Sequence, residues 1–185
     1  MVTVNRSLYK LCLFLLSFFS ITMAEDNTNQ KEAFFAAGCF WGVESTFQQL
    51  EGVKSASVGY TGGKVKNPSY ELVCTGITDH AEAVQVVYDA SVISYEQLLD
   101  IFFELHDPTT IDRQGPDVGS QYRSAVFYKN EEEKTLVEVK INQVNESGKF
   151  RSKVVTEVAP LDTFYDAEGY HQDYYKKRGI VGCAI

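Results

Sequence analysis

The segment Gly38–Gly42 combines residue types that suit a reactive site. It reads Gly-Cys-Phe-Trp-Gly, follows a short apolar run and opens a stretch with apolar residues at helical spacing. A cysteine at a strand-to-helix turn lies beside free backbone N–H groups and the positive end of the helix dipole, which lowers a thiol pKa. Phe40 and Trp41 would form an apolar wall beside the sulfur. We therefore expect Cys39 to be a nucleophile; the alternative is a structural cysteine in a packed turn.

Residues 1–24 have the layout of a secretion signal. Arg6 and Lys10 precede an apolar run over residues 11–21, and Thr22-Met23-Ala24 supplies the small residues of a cleavage site. The run is too short for a membrane span of about 20 residues. We expect cleavage and export to the periplasm or the exterior; an uncleaved N-terminal membrane anchor is the alternative.

The net charge and the number of cysteines further restrict the possible functions. The signal carries two basic and no acidic residues, so its removal takes the formal net charge from −8 to −10. Such an acidic chain argues against a nucleic-acid partner. Removal also takes Cys12 and leaves Cys39, Cys74 and Cys183. An odd number of cysteines in an exported protein points to a reactive thiol.

The pattern of apolar residues predicts alternating strands and helices. Residues 25–32 are expected to be a flexible lead-in, and residues 33–185 a single catalytic domain. The polar stretch before Tyr122 is predicted to be a long and therefore functional loop, and residues 64–80 another loop. We expect strands over 33–37, 53–60, 82–89, 122–128 and 154–158, helices over 40–50, 94–105 and 130–148, and a short helical segment over 167–177.

This order predicts an α+β fold class. It corresponds to a two-layer α/β sandwich with a ferredoxin-like βαββαβ core and an extended C-terminal tail.

The segment Gly38–Gly42 also resembles the signature of the A-type peptide methionine sulfoxide reductases, which reduce the S epimer of methionine sulfoxide. Asp79 stands where this family has glycine before its His-Ala-Glu triplet. Further blocks resemble the family in the same order over roughly residues 33–175: Gly59–Gly63, Asn67–Gly76, His80–Glu82, Asp117 with Gly119–Ser124, and Tyr170–Tyr175.

The resemblance implies reduction of methionine (S)-sulfoxide, free or in proteins, back to methionine. Cys39 attacks the sulfoxide sulfur and becomes a sulfenic acid. Glu82 is implied as the acid that protonates the departing oxygen, and its apolar neighbours favour a raised carboxyl pKa. The implied substrate-binding residues are Phe40 and Trp41 around the methyl group, Tyr70 and Tyr122 at the oxygen, and Asp117.

The remaining cysteines are expected to differ in role. Cys183 lies on a segment with Gly179 and Gly182, and we expect it to reach Cys39 and resolve the sulfenic acid as a disulfide. The family implies reduction of that disulfide by thioredoxin or a thioredoxin-like donor. Cys74 follows Leu72-Val73 and is predicted to be buried and inert.

No cofactor or metal is expected, because the three histidines lack metal-ligand spacing with the cysteines and are interpreted as structural. We expect a monomer. Two other functions remain open at this point. One is a peroxide-reducing thiol oxidoreductase that uses Cys39 and Cys183; the other is an exported binding module with a Tyr- and Trp-rich surface.

Overall fold

The computed structural model describes residues 29–180. The proposed signal, the start of the lead-in and Cys183 lie outside these residues. The strands are β1 (Gln30–Ala37), β2 (Val53–Thr61), β3 (Ala81–Asp89), β4 (Arg113–Gln114), β5 (Asp117–Val118), β6 (Ser124–Tyr128), β7 (Glu157–Pro160) and β8 (Tyr165–Asp166). The helices are α1 (Phe40–Gln48), α2 (Tyr70–Cys74), α3 (Tyr95–Leu105) and α4 (Glu131–Glu146), with 3₁₀ turns at Ser120–Tyr122 and Lys176–Arg178. Between residues 29 and 180, no helix has the length and apolarity to cross a membrane.

The main sheet of the described chain has the strand order β7-β6-β1-β3-β2-β8. Neighbouring strands are antiparallel, except that β7 runs parallel to β6. Strands β4 and β5 form a separate small hairpin. The predicted α+β class with a helical layer on a sheet is confirmed. The ferredoxin-like description of the core stays a prediction, since β7 and β8 extend the sheet at both edges.

The apolar run in β1 is continuous because both faces of this strand are covered. Alternate side chains of a strand point to opposite faces of its sheet. Phe35 faces the helices, where its ring stacks on Phe47 at 5.1 Å and on Phe102 at 5.3 Å. Phe34 faces the other way and packs on Phe164, in the loop that covers the second face. This double burial fixes the end of β1, and therefore the position of Cys39.

Several boundaries differ from the sequence-based expectations because long-range pairing decides them. Strand β1 begins at Gln30, which pairs with Asp89, so residues 30–32 belong to the sheet and not to a flexible lead-in. Strand β7 lies at 157–160, where it pairs with β6, and not at 154–158. The region 64–80 contains α2, which Ser69 caps by accepting a hydrogen bond from the Leu72 N–H.

The predicted helical segment at 167–177 is wrong. The chain there runs in turns, with a 3₁₀ turn only at Lys176–Arg178. The Gln172 side chain accepts from the Val58 N–H and donates to the Val58 carbonyl. The segment is therefore held against the edge of β2 by side-chain hydrogen bonds, which helical periodicity does not encode.

Candidate active site

Cys39 lies at the N-cap of α1, directly after β1. Gly38 gives the turn its shape, because its φ is +89° and a Cβ there would lie 2.6 Å from Gln114 Cγ. Strand β3 is the neighbour of β1 in the sheet and carries Glu82 near its start. The turn after β1 and the start of β3 thus bring the thiol and the carboxyl group to the same end of the sheet.

Glu82 is a buried acid whose side chain contacts the first turn of α1. The residue is 2% exposed, and its Oε2 accepts a hydrogen bond from the Phe40 N–H at 3.1 Å. Burial raises the pKa of Glu82 to about 8, with a smaller contribution from the Asp117 charge and a partial offset by the Phe40 N–H. At neutral pH this carboxyl group therefore holds a proton that it can donate.

The pKa of Cys39 contradicts the sequence-based expectation that the helix N-terminus lowers it. Burial, followed by the Glu82 charge, raises the pKa of this thiol to about 12. The N–H groups of Trp41 and Gly42 lie near enough to lower it, but they are outweighed. The free protein therefore holds Cys39 as a neutral thiol beside a neutral carboxyl group.

The hydroxyl groups predicted to bind substrate belong to the same cluster. Burial raises the pKa of Tyr122 to about 12, followed by the charges of Glu82, Cys74, Asp117 and Cys39. Burial likewise raises the pKa of Tyr70, followed by its hydrogen bond to Cys74. Both phenols keep their protons at neutral pH and can donate hydrogen bonds. The charges that act on these groups place Cys39, Glu82, Tyr70, Asp117 and Tyr122 within electrostatic range of one another.

Cys74 is exposed, so the prediction that this thiol is buried is wrong. Helix α2 is short and buries Val73 instead, which turns the next residue outward. Tyr70 and Cys74 lie four residues apart on one face of the helix, and the Tyr70 hydroxyl donates a hydrogen bond to the Cys74 sulfur. Cys74 thus lies at the rim of the site.

The two aromatic residues after Cys39 differ in exposure. Phe40 is 1% exposed and packs in the core against Tyr60 and His171. Trp41 is half-buried, and its ring stacks on Tyr174 with 3.6 Å between centroids and 3° between planes. Trp41 therefore offers the accessible wall, and Phe40 supports the site mainly from the core.

The sequence did not assign to His171 and Tyr174 the role of holding Trp41. The Trp41 Nε1–H donates to His171 Nδ1 at 3.1 Å, and the buried Glu44 accepts from the Asp173 N–H at 3.0 Å. Glu44 follows Trp41 by three residues, and Tyr174 follows His171 by three. The spacing of Trp41 and Glu44 places both on one side of α1, whereas His171 and Tyr174 lie in a turn segment where helical spacing carries no signal.

The histidines differ in how completely they are bonded. Both ring nitrogens of His80 and of His106 have hydrogen-bond partners, as expected of structural histidines. His171 is different, because its buried Nε2 has no hydrogen-bond partner. Within residues 29–180, no three His, Cys, Asp or Glu side chains are grouped to hold a metal ion.

Comparison with known proteins agrees with this geometry. The family model for peptide methionine sulfoxide reductase matches residues 31–185. The peptide methionine sulfoxide reductase MsrA of Methanosarcina mazei is 52% identical over 151 residues, covering 82% of this chain and 72% of that protein. The enzyme of the same name from Pasteurella multocida is 54% identical over 144 residues, covering 78% of this chain and 82% of its own.

Solved structures are similar over most of the described chain. Reduced Mxr1 from Saccharomyces cerevisiae has a TM-score of 0.78 at 37% identity and covers 83% of this chain and 88% of its own. Methionine sulfoxide reductase A of Corynebacterium diphtheriae has a TM-score of 0.74 at 35% identity, with coverages of 84% and 78%. With a cysteine at the start of α1, a protonated carboxyl group beside it and the family match on the same residues, this chain belongs to the peptide methionine sulfoxide reductase family.

Proposed function

We propose that Cys39 and Glu82 together reduce methionine (S)-sulfoxide, free or in proteins. The observation that carries this assignment is the protonated, buried Glu82 hydrogen-bonded to the first N–H of the helix that Cys39 caps. Sulfoxide reduction needs a sulfur nucleophile and a proton for the oxygen. This pair supplies both at one end of the sheet.

The reaction balances with the groups present. Glu82 donates its proton to the sulfoxide oxygen while the Cys39 sulfur attacks the sulfoxide sulfur. The Cys39 thiol proton passes to the Glu82 carboxylate, which regenerates the acid. The first adduct has a bond between the Cys39 sulfur and the substrate sulfur, which carries the hydroxyl group. The hydroxyl oxygen then bonds to the Cys39 sulfur as the substrate S–O bond and the S–S bond break, which leaves a Cys39 sulfenic acid and methionine as the thioether. A thiol with a high pKa can react by this route, because its proton is lost only as the neighbouring acid is consumed.

The surrounding side chains would orient the substrate. We assign Tyr70 and Tyr122 to the sulfoxide oxygen, because both remain protonated donors next to Glu82. Trp41 offers an apolar face for the methyl group, supported by Phe40. Asp117 adds negative charge beside Cys39 and Glu82, which keeps the proton on both groups.

The sulfenic acid must then be removed. We propose that the Cys183 thiol condenses with it, forming a disulfide and releasing water. Thioredoxin or a thioredoxin-like donor would reduce this disulfide. The similar yeast protein Mxr1 has been crystallised in complex with Trx2, in a structure with a TM-score of 0.57 and 27% identity that covers 83% of this chain and 91% of its own.

The assignment is tested with peptides that carry either the S or the R epimer of methionine sulfoxide. We expect only the S-epimer peptide to be reduced. Without a reductant the protein should release one methionine per molecule, and with thioredoxin it should turn over repeatedly. Thiol consumption with peroxide but with neither peptide would favour the peroxide-reducing alternative. Retained binding of a partner after alkylation of Cys39, without any turnover, would favour a binding module.

The role of Cys183 is tested by Cys183→Ser. This variant should still release one methionine per protein but should fail to cycle with thioredoxin. Sustained thioredoxin-driven turnover would remove Cys183 from the mechanism.

We also propose export, on the basis of residues 1–24. Arg6 and Lys10 before the apolar run, and the small residues at Thr22-Met23-Ala24, support it. N-terminal sequencing of the protein from separated cell fractions should find mature chains that start near Glu25 outside the cytoplasm. Intact chains in the membrane fraction would instead indicate an uncleaved anchor.

A further inference from the structure

Glu168 binds the start of the helix that carries Tyr70. Its Oε1 accepts a hydrogen bond from the Tyr70 N–H at 2.9 Å. This N–H is the first of α2 and has no acceptor within the helix, as at every helix N-terminus. Helix α2 has only five residues and so little stability of its own. Glu168 therefore fixes where α2 begins.

The Glu168 side chain is also hydrogen-bonded to a residue of the core. Its Oε2 accepts from the Tyr60 hydroxyl at 2.9 Å, and Tyr60 is fully buried in β2. Burial raises the pKa of Glu168, but the N–H groups of Tyr70 and of Glu168 itself and the Tyr60 hydroxyl outweigh it, so the net pKa is lowered. The side chain is thus an ionised acceptor that joins a core strand to α2.

The same residue also borders the Trp41 side of the site. His171 Nε2 lies 4.0 Å from Glu168 Oε2, and the His171 N–H donates to the Glu168 carbonyl at 2.8 Å. His171 in turn contacts the Tyr70 ring at 4.4 Å and accepts the hydrogen bond from Trp41. The walls proposed for the oxygen and the methyl group therefore meet at Glu168 and His171.

From these contacts we infer that Glu168 is a positioning residue, which sets the place of the Tyr70 hydroxyl for sulfoxide binding through the Tyr70 backbone. The inference rests on the proposed function, because it gives Tyr70 a role in binding. Glu168 itself need not touch the substrate. Loss of its acceptor oxygen should impair the reaction to the same extent as loss of the Tyr70 hydroxyl.

The test compares Glu168→Ala with Glu168→Gln. The glutamine keeps an oxygen for the Tyr70 N–H, whereas alanine does not. In single-turnover reduction of an S-sulfoxide peptide, Glu168→Ala should raise the substrate concentration for half-maximal rate about tenfold, the value of one hydrogen bond. Glu168→Gln should stay within about threefold of the unmodified protein, since the weaker amide acceptor remains. Tyr60→Phe removes the other hydrogen bond to Glu168 and should cause a smaller loss than Glu168→Ala, because Oε1 can still accept from the Tyr70 N–H.

Two further measurements separate positioning from general stability. Tyr70→Phe should cause a loss similar to that of Glu168→Ala, and the double variant should lose no more than either alone. Hydrogen exchange at the Tyr70 amide should accelerate in Glu168→Ala and not in Glu168→Gln. If the alanine variant does not fold, Glu168→Met, which keeps the side-chain length without an acceptor, takes its place.

Different results would contradict different statements. Unchanged exchange at the Tyr70 amide, equal impairment by alanine and glutamine, or multiplied losses in the double variant would overturn the role of Glu168. A different outcome is faster exchange at the Tyr70 amide in Glu168→Ala together with unchanged reduction kinetics in Tyr70→Phe. This outcome would uphold the positioning of Tyr70 by Glu168 and contradict the role of the Tyr70 hydroxyl in the proposed function.

Discussion

Helices α1 and α3 each follow a strand of the central sheet, yet they use their N-termini differently. At α3, Ser94 Oγ accepts from the Gln97 N–H at 3.2 Å, and Gln97 Oε1 accepts from the Ser94 N–H at 2.8 Å. At α1, Cys39 makes no capping hydrogen bond of this kind, and the Phe40 N–H donates to Glu82 of another strand. Strands β1 and β3 are antiparallel, so the two N-termini lie at opposite ends of the sheet.

The difference shows what a reactive helix start requires. A capping box satisfies its backbone donors locally and adds stability wherever it occurs. The α1 terminus directs its donors towards a thiol and a buried carboxyl group, both of which carry protons that chemistry can move. The N-terminus of α1 therefore gives up local stabilisation in favour of reactivity. Substitution there should change the reaction more than the stability, and substitution at the N-terminus of α3 should change the stability more than the reaction.

The largest effect is expected from Cys39→Ser. The hydroxyl group cannot replace the thiol as a nucleophile towards the sulfoxide, so single-turnover methionine release should disappear. Serine is a favoured N-cap residue, so the free energy of unfolding should stay the same or rise by up to about 1 kcal/mol. Urea unfolding measures this change, and a marked loss of stability would show that Cys39 already acts as a structural cap.

Glu82→Gln should slow methionine release by about 10²-fold or more, because the amide cannot donate the acidic proton. In the unmodified protein the rate should fall as the pH rises through about 8, where Glu82 loses its proton. The variant should lack this fall. A full rate in Glu82→Gln would contradict the assignment of Glu82 as the acid.

Glu82→Gln also tests how the burial of Glu82 affects the free energy of unfolding. Its folded pKa of about 8 lies above the ordinary 4.5, so the folded chain keeps a proton that the unfolded chain releases between these values. This contribution to stability is full below pH 4.5 and is lost as the pH rises through 8. The stability of Glu82→Gln relative to the unmodified protein should therefore increase across this interval, as urea unfolding at several pH values can measure.

The smallest effect concerns α3. Ser94→Ala should lower the free energy of unfolding by about 1 kcal/mol, since it removes one side of the capping box. Methionine release should remain unchanged, because α3 begins at the far end of the sheet. A slower reaction in Ser94→Ala would show that the two ends of the sheet are coupled. It would contradict the separation of a reactive α1 terminus from a stabilising α3 terminus.

The parts of the fold that local sequence encodes were predictable. The Ser94–Gln97 pair predicted the start of α3, and the apolar run 33–37 predicted a buried strand. The placement of Cys39 at a strand-to-helix turn was equally a local property. The pKa of Cys39 could not be predicted from the local sequence, because burial by the folded chain raises it more than the neighbouring N–H groups lower it.

The regions that were missed depend on distant partners. Helix α2 starts where Glu168 accepts its first N–H, a contact between residues 98 positions apart. The segment around Gln172 follows the edge of β2 through contacts 114 positions apart. Asp79 replaces the expected glycine with a φ of +59°, a left-handed conformation that aspartate tolerates better than most residues.

The edges of the central sheet affect how the protein meets its substrates. At one edge β7 has four residues and ends in Pro160, and at the other β8 has only two residues. Oxidised proteins that have lost part of their structure expose unpaired strands, and these add readily to long, open sheet edges. The short β7 limits such addition at its edge, and beside the two-residue β8 the Gln172 side chain occupies the Val58 N–H and carbonyl of β2. Under the proposed function, an oxidised protein substrate would therefore be less able to aggregate onto this chain and could leave once its methionine is reduced.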